Sequence, residues 1–343
     1  MKIYNDYNLA RLNTFGISAN AKFFVEVESE TGLLELFNLP EFKQNKKVFL
    51  GGGSNVLFVQ DYDGMVVLNK LKGIEVVDEN EEKISIRAMG GENWHDLVVF
   101  SVDRGYWGIE NLSFIPGTVG AAPIQNIGAY GVELKDILLK VEAVHIESGL
   151  KKIFTKEECM FGYRDSVFKN KLKGEYFISA VIVELSKKPK PNISYKILSE
   201  YLENNKIEVK NPKDVSGAVI SIRKSKLPDP KVIGNAGSFF KNVFVNQEQL
   251  LKLLEKYPNM SYFEEDGIIK IPAGWLIEHC GPMEGISWKG HKIGNVGVHE
   301  KQALVLVNYG GATGEEVIDL AKKIIESVKE KFGLNLTPEV NIV

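Results

Sequence analysis

Alternating and apolar stretches predict the strands of this chain. Polar and apolar residues alternate through 22–28, which reads KFFVEVE, and through 138–147. A period of two is typical of a strand with one buried face. Further β-rich runs predict strands at 46–50, 65–90, 176–185, 268–271, 303–308 and in the C-terminal tail. Turns are expected at Asp63-Gly64, Ser148-Gly149 and Asp266-Gly267, because these pairs favour tight turns.

Helical spacing of apolar residues predicts helices between these strands. The predicted helices cover 31–39, 93–104, 155–160, 197–203, 214–226, 247–254 and 313–332, with another after Pro272. Thr31, Thr155 and Thr313 are the expected N-caps, since a hydroxyl can accept from an orphan N–H of the first turn. The last helix is amphipathic, and Gly333 ends it. The predicted helix 214–226 is ended by Leu227-Pro228-Asp229-Pro230, which indicates a domain boundary at these residues.

Composition narrows the class of protein. A chain of 343 residues that is 44% hydrophobic predicts two or three domains with substantial cores. A net charge of −3 gives no reason to expect a nucleic-acid or membrane partner. The N-terminus lacks the apolar core of a signal peptide, and Cys159 and Cys280 form no disulfide or zinc pattern. A cytoplasmic protein without a metal site is therefore expected.

The stretch from 111 to 131, NLSFIPGTVGAAPIQNIGAYG, is the most unusual part of the sequence. It has no charged residue in a chain that is 25% charged, and it holds four glycines. Small residues allow backbone to approach a flat or anionic ligand closely. The composition suits a cofactor with a large planar ring, although a loop that only lines the core would look the same. We call this stretch the central loop.

A second glycine-rich turn, Gly51 to Asn55, follows a predicted strand. Successive N–H groups in such a turn can bind phosphate. The turn is neither a Walker A loop nor a Rossmann fingerprint, because strands and not a helix follow it. A simple tight turn and a pyrophosphate site both remain open.

Three further residues and one basic helix end could carry chemistry. Arg164 lies between Tyr163 and Asp165, where it could form a structural ion pair or bind a substrate carboxylate or phosphate. Ser238 follows Gly234-Asn235-Ala236-Gly237 and could be an ordinary turn serine, and it does not fit a hydrolase elbow. Glu339 near the terminus, and the basic end of a helix at Arg223 to Lys226, could be ordinary surface charge.

Several of these stretches together resemble one family. They are GGGSNVLF (51–58), IPGTVGAAPIQNIGAYG (115–131), GYRDSVFK (162–169), KLPDPKVIGNAGSFFKN (226–242), PAGWLIE (272–278), VHEKQALVLVN (298–308) and LTPEV (336–340). They resemble the UDP-N-acetylenolpyruvoylglucosamine reductases, flavoenzymes of peptidoglycan precursor synthesis, in the longer subtype with a tyrosine-bearing segment. This chain has a third glycine at Gly52, where the family tolerates bulkier residues.

The resemblance implies an α+β fold. An FAD-binding unit of the vanillyl-alcohol-oxidase (PCMH) type would occupy 1–70 and 71–222 as two subdomains. The tail 333–343 could return to the site and be grouped with the first subdomain. A substrate-binding α+β domain would occupy 223–332. FAD would bind without a covalent link, its pyrophosphate against Gly51, Gly52, Gly53, Ser54 and Asn55. Its ring would lie on Pro116, Gly117, Thr118, Gly120, Ala121, Ala122, Gln125, Asn126, Gly128, Ala129 and Tyr130, with Arg223 nearby.

The implied reaction is a two-stage reduction. NADPH would reduce FAD, and the enolpyruvyl ether of UDP-N-acetylglucosamine would then be reduced to UDP-N-acetylmuramate. Arg164 and Glu339 would serve the substrate carboxylate, and Ser238 would donate the proton. The resemblance assigns the UDP end to Tyr195, Lys226, Asn242, Tyr262, Lys270, Lys289 and Gln302. A monomer is expected. The alternative is a flavin-dependent oxidase or dehydrogenase of the same fold on another substrate, and a third hypothesis is a non-catalytic nucleotide-sugar binder.

Overall fold

The computed structural model describes residues 1–265 and 267–343. Two compact units make up these residues. The first consists of Met1–Tyr7, Ala21–Gly52 and Asp63–Ser225, and the second of Asn8–Asn20, Gly53–Tyr62 and Lys226–Val343. The finer predicted division at residues 70 and 222 stays a prediction. Asp266, in one of the predicted turns, lies outside the described residues.

Runs of strands are interspersed with helices along the chain. The strands are β1 Ile3–Asn8, β2 Asn20–Val27, β3 Lys46–Leu50, β4 Val56–Leu57, β5 Tyr62–Asn69, β6 Ile74–Glu79, β7 Lys83–Met89, β8 Gly128–Ala129, β9 Val132–Glu133, β10 Leu138–His145, β11 Lys151–Thr155, β12 Tyr176–Ser186, β13 Gly234–Ser238, β14 Val243–Val245, β15 Phe263–Glu265, β16 Ile268–Ile271, β17 Lys292–Ile293, β18 Val296–Val298, β19 Val305–Asn308 and β20 Asn341–Ile342. The α-helices are α1 Glu30–Asn38, α2 Pro40–Gln44, α3 Trp94–Asp103, α4 Leu134–Ile137, α5 Lys196–Asn204, α6 Pro212–Lys226, α7 Gln247–Lys256, α8 Ala273–Glu278 and α9 Gly314–Phe332.

The first unit is built on two sheets. One has the order β1-β2-β5-β3, and the other is the antiparallel sheet β11-β10-β12-β7-β6. The apolar positions of β7, β10 and β12 pack with α3 and the central loop, which buries Trp94, Val119 and Ala122 in one core. Helices α5 and α6 bury Leu198, Val219 and their neighbours against each other, with Tyr130 partly buried beside them. The central loop is therefore supported by a sheet on one side and by helices on the other.

The second unit combines a sheet of order β13-β19-β18-β17, a sheet of order β14-β16-β15, and α7 to α9. Helix α9 buries Val317, Leu320, Ile324 and Val328, the face predicted from the sequence. Thr313 caps this helix in a capping box with Glu316, and Gly333 ends it with φ 68°. The tail strand β20 pairs in parallel with β4, which ties the chain terminus to the segment after the Gly51–Asn55 turn.

Some local predictions are wrong. Ser29, and not Thr31, caps α1, because its hydroxyl accepts from the N–H of Gly32. Asp63 and Gly64 form no turn but lie within β5, where Gly64 pairs with Lys46. The predicted helix at 155–160 is a turn, since Thr155 is already the last residue of β11.

None of the helices within 1–265 and 267–343 is both long enough and apolar enough to cross a bilayer.

Candidate functional site

The central loop presents an uncharged, partly exposed face in the first unit. Its residues 119–125 form a 3₁₀ helix that contains Pro123, which is compatible with proline because 3₁₀ turns are short. Pro116 and Ala121 are exposed, whereas Gly120, Ala122 and Asn126 are buried. The other predicted cofactor residues of the loop are partly exposed; they are Gly117, Thr118, Gln125, Gly128, Ala129 and Tyr130. The exposed face suits an apolar, planar ligand.

Glycine allows the central loop to lie directly on neighbouring backbone. The N–H of Gly120 donates to the carbonyl of Gly90 at 2.8 Å. A Cβ atom at Gly120 would lie 3.0 Å from the Cα and carbonyl oxygen of Gly90 and 3.1 Å from the carbonyl oxygen of Ile178. Since all three obstacles are backbone atoms, they cannot move aside as a side chain could. Gly120 therefore lets the buried side of the loop lie close against the backbone of Gly90 and Ile178.

The Gly51–Asn55 turn also has packing reasons for its glycines. In the first unit, a Cβ atom at Gly51 would meet the Thr118 hydroxyl at 2.2 Å, and one at Gly52 would meet Gly117 Cα at 2.9 Å. In the second unit, Gly53 has φ 64°, and a Cβ there would lie 1.9 Å from the carbonyl oxygen of Leu12. Close approach of the Thr118 side chain explains Gly51, and close approach of backbone explains Gly52 and Gly53. Pyrophosphate binding by the turn stays a prediction.

Thr118 carries an observation that favours a ligand on this face. Its Oγ1 is buried and has no hydrogen-bond partner among the described residues. A buried hydroxyl without a hydrogen-bond partner is uncommon in folded proteins. Together with the glycines and the uncharged exposed face, it makes the loop compatible with a bound flavin.

Arg164 occupies a strained turn that two backbone hydrogen bonds hold in place. Its backbone has φ 52°, a left-handed conformation that is unusual for a residue with a Cβ. The turn is closed by reciprocal hydrogen bonds between Gly162 and Asp165. The Asp165 carboxylate accepts from Asn170 Nδ2, so the ion pair predicted from Arg164 and its neighbouring Asp165 is not the one that the structure gives. Arg164 lies 3.8 Å from Glu133 instead.

The Arg164 guanidinium points at the central loop. Its Nη2 donates to the carbonyl of Gly128 at 2.8 Å, and its Nη1 donates to the carbonyl of Asn126 at 3.4 Å. Its side chain is only 19% exposed. A partly buried guanidinium held in this way can receive a carboxylate without first losing much side-chain freedom.

Tyr130, Tyr195 and Arg223 form the edge of the central loop. Tyr130 and Gly131 have φ 50° and 81° and turn the β8–β9 hairpin. The rings of Tyr130 and Tyr195 meet edge to face at 5.6 Å. Arg223 Nε donates to the carbonyl of Phe114 at 3.1 Å. Burial lowers the pKa of the Arg223 guanidinium, while the nearby Tyr130 hydroxyl opposes this effect. The structure thus places predicted substrate residue Tyr195 beside predicted cofactor residue Tyr130.

Ser238 and Glu339 lie on adjacent antiparallel segments of the second unit. Ser238 ends β13 and pairs with Val305 beyond an irregularity in the ladder. The chain from 239 to 241 then pairs with 337–339, through the Glu339 N–H to the Phe239 carbonyl at 2.8 Å and the Lys241 N–H to the Thr337 carbonyl at 2.9 Å. Both Ser238 and Glu339 are partly exposed.

Buried Asn235 fixes the turn before Ser238. Its Oδ1 accepts from the N–H of Gly237 at 3.0 Å, and its Nδ2 donates to the carbonyl of Ile233 at 2.8 Å. Gly237 has φ 68°, which explains the glycine. Sequence reasoning gave no role to Asn235, or to Glu133 beside Arg164. The residue types alone gave no signal, because both act through contacts that the sequence pattern does not reveal.

Some of the predicted UDP residues cluster at the start of α8. Asn242 Oδ1 accepts from the Ala273 N–H at 3.1 Å, and Gln302 Oε1 would lie 3.5 Å from a Cβ atom at Gly274. Lys289 lies instead at the other end of α8, where its ammonium pairs with Glu278. The remaining predicted residues are Lys270 in β16, with its ammonium 5.8 Å from the Phe263 ring centre, exposed Tyr262, and Lys226 at the end of α6.

Among the described residues, no cluster of histidine, cysteine, aspartate or glutamate could hold a metal ion. The two cysteines are buried, and burial raises the pKa of the Cys159 thiol to about 12. Cys159 therefore stays a protonated thiol at neutral pH.

This chain is similar in sequence to known protein families and to known enzymes. Residues 229–343 match the model of the UDP-N-acetylenolpyruvoylglucosamine reductase C-terminal domain, and residues 21–151 match that of an FAD binding domain. These two matches confirm the predicted fold class. The UDP-N-acetylenolpyruvoylglucosamine reductase of Amoebophilus asiaticus is 48% identical, and that of Flavobacterium johnsoniae is 46% identical, each over 100% of both chains.

A solved structure shows the same fold. The UDP-N-acetylenolpyruvylglucosamine reductase of Thermus caldophilus matches with a TM-score of 0.66 at 22% identity, over 99% of this chain and 98% of that one. Because relatives at 46–48% identity match it from end to end, the chain belongs to the UDP-N-acetylenolpyruvoylglucosamine reductase family.

Proposed function

We propose that this chain is an FAD-containing oxidoreductase of peptidoglycan precursor synthesis. It reduces UDP-N-acetyl-3-O-(1-carboxyvinyl)-glucosamine to UDP-N-acetylmuramate with NADPH as the co-substrate. The observation that carries this proposal is the 46–48% identity, over the full length of both chains, to UDP-N-acetylenolpyruvoylglucosamine reductases. The arrangement of Ser238 beside the Glu339 segment, and of Arg164 beside the central loop, supports it because the reaction needs an acid and a carboxylate partner.

The residues that would hold FAD are those of the central loop and of the Gly51–Asn55 turn, with Arg223 near the ring. When bound, FAD supplies the redox chemistry by accepting a hydride from NADPH and passing one to the methylene carbon of the enolpyruvyl group. The orphaned Thr118 hydroxyl and the uncharged exposed face favour this placement.

Arg164 would hold the carboxylate of the substrate. Hydride addition at the methylene carbon builds negative charge on the adjacent carbon and on that carboxylate. A guanidinium fixed by two backbone carbonyls stabilises this charge without having to reorganise. Loss of such a stabilising group typically costs about 10²–10³ in rate.

Ser238 would supply the proton. An alcohol is a weak acid, but a carbanion next to a carboxylate is a strong base, so transfer from a serine hydroxyl is feasible. Glu339 would assist at the substrate carboxylate if it is protonated or well compensated, since an uncompensated ionised carboxylate there would repel the substrate. Removal of a positioned acid typically lowers the rate by about 10²–10⁴.

The diphosphate and uridine would bind to Tyr195, Lys226, Asn242, Tyr262, Lys270, Lys289 and Gln302. Ammonium groups serve as point charges for a diphosphate, and amides serve as hydrogen-bond partners. We further propose that the enzyme is a cytoplasmic monomer that binds no nucleic acid; analytical ultracentrifugation of the purified protein tests the monomer.

The deciding experiment follows flavin absorbance under anaerobic conditions in the wild type and in Ser238→Ala. NADPH is added first and is expected to bleach both proteins. The enolpyruvyl UDP-sugar is then expected to restore the colour rapidly in the wild type and about 10²–10⁴ times more slowly in the variant. A colourless protein that takes up no flavin would overturn the proposal. So would a reduced flavin that the sugar does not reoxidise but that oxygen reoxidises once air is admitted, which is what the oxidase alternative predicts.

A further inference from the structure

Glu133 places a carboxylate beside the Arg164 guanidinium. Its Oε1 lies 3.8 Å from Arg164 Nη1, and its Oε2 lies 2.9 Å from Lys135 Nζ. The Glu133 and Arg164 side chains are 22% and 19% exposed. At 3.8 Å the carboxylate is beyond hydrogen-bonding distance from Nη1, so this contact acts mainly through charge.

Asn126 locks this carboxylate to the turn that carries Arg164. The Asn126 side chain is fully buried, and its backbone is left-handed with φ 45°. Its Nδ2 donates to Glu133 Oε2 at 3.0 Å and to the Gly162 carbonyl at 3.1 Å, and its Oδ1 accepts from the Lys135 N–H at 3.0 Å. One buried amide thus fixes the distance between Glu133 and the Arg164 turn.

Glu133 is itself held from behind. It is the N-cap of α4, where its side chain and that of Asp136 form a reciprocal capping box. The Glu133 N–H donates to Asp136 Oδ2 at 2.8 Å. With its backbone bonded to Asp136 and its carboxylate to Asn126 and Lys135, Glu133 has little freedom of its own, so it can define where a neighbouring guanidinium lies.

Gly128 leaves the space for this arrangement. A Cβ atom there would lie 2.9 Å both from Arg164 Nη1 and from Glu133 Cγ. The carbonyl of the same glycine accepts from Arg164 Nη2. The pair therefore sits directly against the central loop, and a side chain at 128 would push the two groups apart.

We propose that Glu133 is a positioning residue for the reduction of the sugar: locked by Asn126, it holds the Arg164 guanidinium in the orientation that receives the substrate carboxylate. The inference rests on the proposed function, in which Arg164 binds that carboxylate. The negative charge of Glu133 orients the Arg164 guanidinium, and the two groups form no bidentate ion pair. A misplacement of about 1 Å in such a group costs up to about 10²-fold in rate.

A double-mutant cycle of Glu133→Gln and Arg164→Met tests the proposal. The readout is the rate at which the enolpyruvyl UDP-sugar reoxidises flavin that has been reduced beforehand. Glu133→Gln is expected to slow this step about 10- to 100-fold and Arg164→Met about 10²–10³-fold. In the Arg164→Met background, Glu133→Gln is expected to add nothing, because it acts through Arg164. Independent, multiplying effects would overturn the proposal.

Binding gives a second readout that does not depend on turnover. UDP-N-acetylmuramate carries the carboxylate, and UDP-N-acetylglucosamine lacks it. Glu133→Gln is expected to weaken calorimetric binding of the first about 3- to 10-fold and to leave binding of the second unchanged. Equal weakening of both would indicate a general structural defect and would contradict the proposal.

Glu142→Gln is the matched control. Glu142 forms a partly buried pair with Arg87 in the same unit, at 2.8 Å, and has no part in the proposed chemistry. The Glu142→Gln variant is expected to leave unchanged both the reduction of flavin by NADPH and its reoxidation by the sugar. If Arg164→Met reoxidises like the wild type, the proposed role of Arg164 fails; if Arg164→Met is slow and Glu133→Gln is normal, only the positioning role fails.

Discussion

The backbone N–H of Glu339 donates a hydrogen bond to the carbonyl oxygen of Phe239, at 2.8 Å. Phe239 directly follows Ser238, and Phe240 forms an isolated bridge with Pro338. Backbone pairing therefore fixes the Glu339 segment relative to Ser238, although the two residues are far apart in the chain. Two groups that are proposed to act on the same substrate share one rigid piece of antiparallel structure.

The form in which Glu339 acts can be tested by comparing Glu339→Gln with Glu339→Ala. Glutamine keeps a neutral hydrogen-bonding group of the same size, so it replaces a protonated glutamate better than an ionised one. We expect Glu339→Ala to slow flavin reoxidation by the sugar about 10²–10³-fold and Glu339→Gln to slow it less. Rapid-mixing absorbance measures this step. Equal losses in both variants would indicate that the negative charge of Glu339 is required.

The helix and strand pattern was largely predictable, because it depends on local periodicity. Strand β3 and helix α9 follow directly from apolar positions in the sequence. The errors arose where a tertiary contact decides between neighbouring residues. Ser29 and Thr31 are both suitable caps, and only the hydrogen bond to Gly32 selects Ser29. Thr155 pairs with Lys140 at the end of β11, and its Oγ1 accepts from the Glu158 N–H at 3.3 Å, so it caps a turn and not the predicted helix.

Less of the candidate site than of the fold could be predicted from the sequence. Composition identified the central loop, because an uncharged stretch with four glycines is unusual in this chain. Arg164, Ser238 and Glu339 were singled out from ordinary alternatives only by resemblance to a family. Glu133 and Asn235 were missed altogether, since their roles depend on hydrogen bonds to Asn126 and Gly237 that no spacing reveals.

Asn235 is predicted to support Ser238. Asn235→Ala would leave the N–H of Gly237 and the carbonyl of Ile233 without this buried partner. We expect a loss of about 1–3 kcal/mol in the free energy of unfolding, and slower reoxidation by the sugar with normal reduction by NADPH. Urea unfolding and absorbance kinetics measure the two effects.

Asn246→Ala is the control for that experiment. Asn246 caps α7 in an exposed capping box, so its loss is expected to cost about 1 kcal/mol without changing either half-reaction. If Asn235→Ala loses stability but keeps the rate of reoxidation, Asn235 supports the fold and not Ser238.

Gly120 is predicted to be required for flavin binding. In Gly120→Ala the methyl group would meet backbone atoms of Gly90 and Ile178 at 3.0–3.1 Å, which would push the central loop off the sheet. We expect a lower melting temperature and a purified protein with less flavin absorbance, because overpacking a close contact typically costs about 1–3 kcal/mol.

Gly217→Ala is the matched control for Gly120→Ala. Gly217 lies exposed within α6, and a methyl group there would have no atom within 4 Å beyond its own helix backbone and chain neighbours. Alanine at this position is expected to raise the free energy of unfolding by about 0.5–1 kcal/mol and to leave flavin content unchanged. A Gly120→Ala protein with full flavin content would show that the loop can shift without losing the cofactor.

Glu110 is predicted to make stability depend on pH. It is 1% exposed, and burial raises the pKa of its carboxyl above the ordinary 4.5, against hydrogen bonds from backbone N–H groups that lower it. A carboxyl with a raised pKa binds more protons in the folded state than in the unfolded state. Its contribution to stability is therefore present below the unfolded pKa and is lost as the pH rises through the folded pKa.

Glu110→Gln isolates this effect, because glutamine stays neutral and can still accept from the Gly108 N–H. We expect the free energy of unfolding of the variant, relative to the wild type, to rise as the pH increases from the ordinary carboxyl pKa through the raised pKa of folded Glu110, since only the wild type must ionise a buried group. Urea unfolding at several pH values measures it, with exposed Glu35→Gln as the control. A difference that stays constant over this range would mean that Glu110 ionises alike in both states.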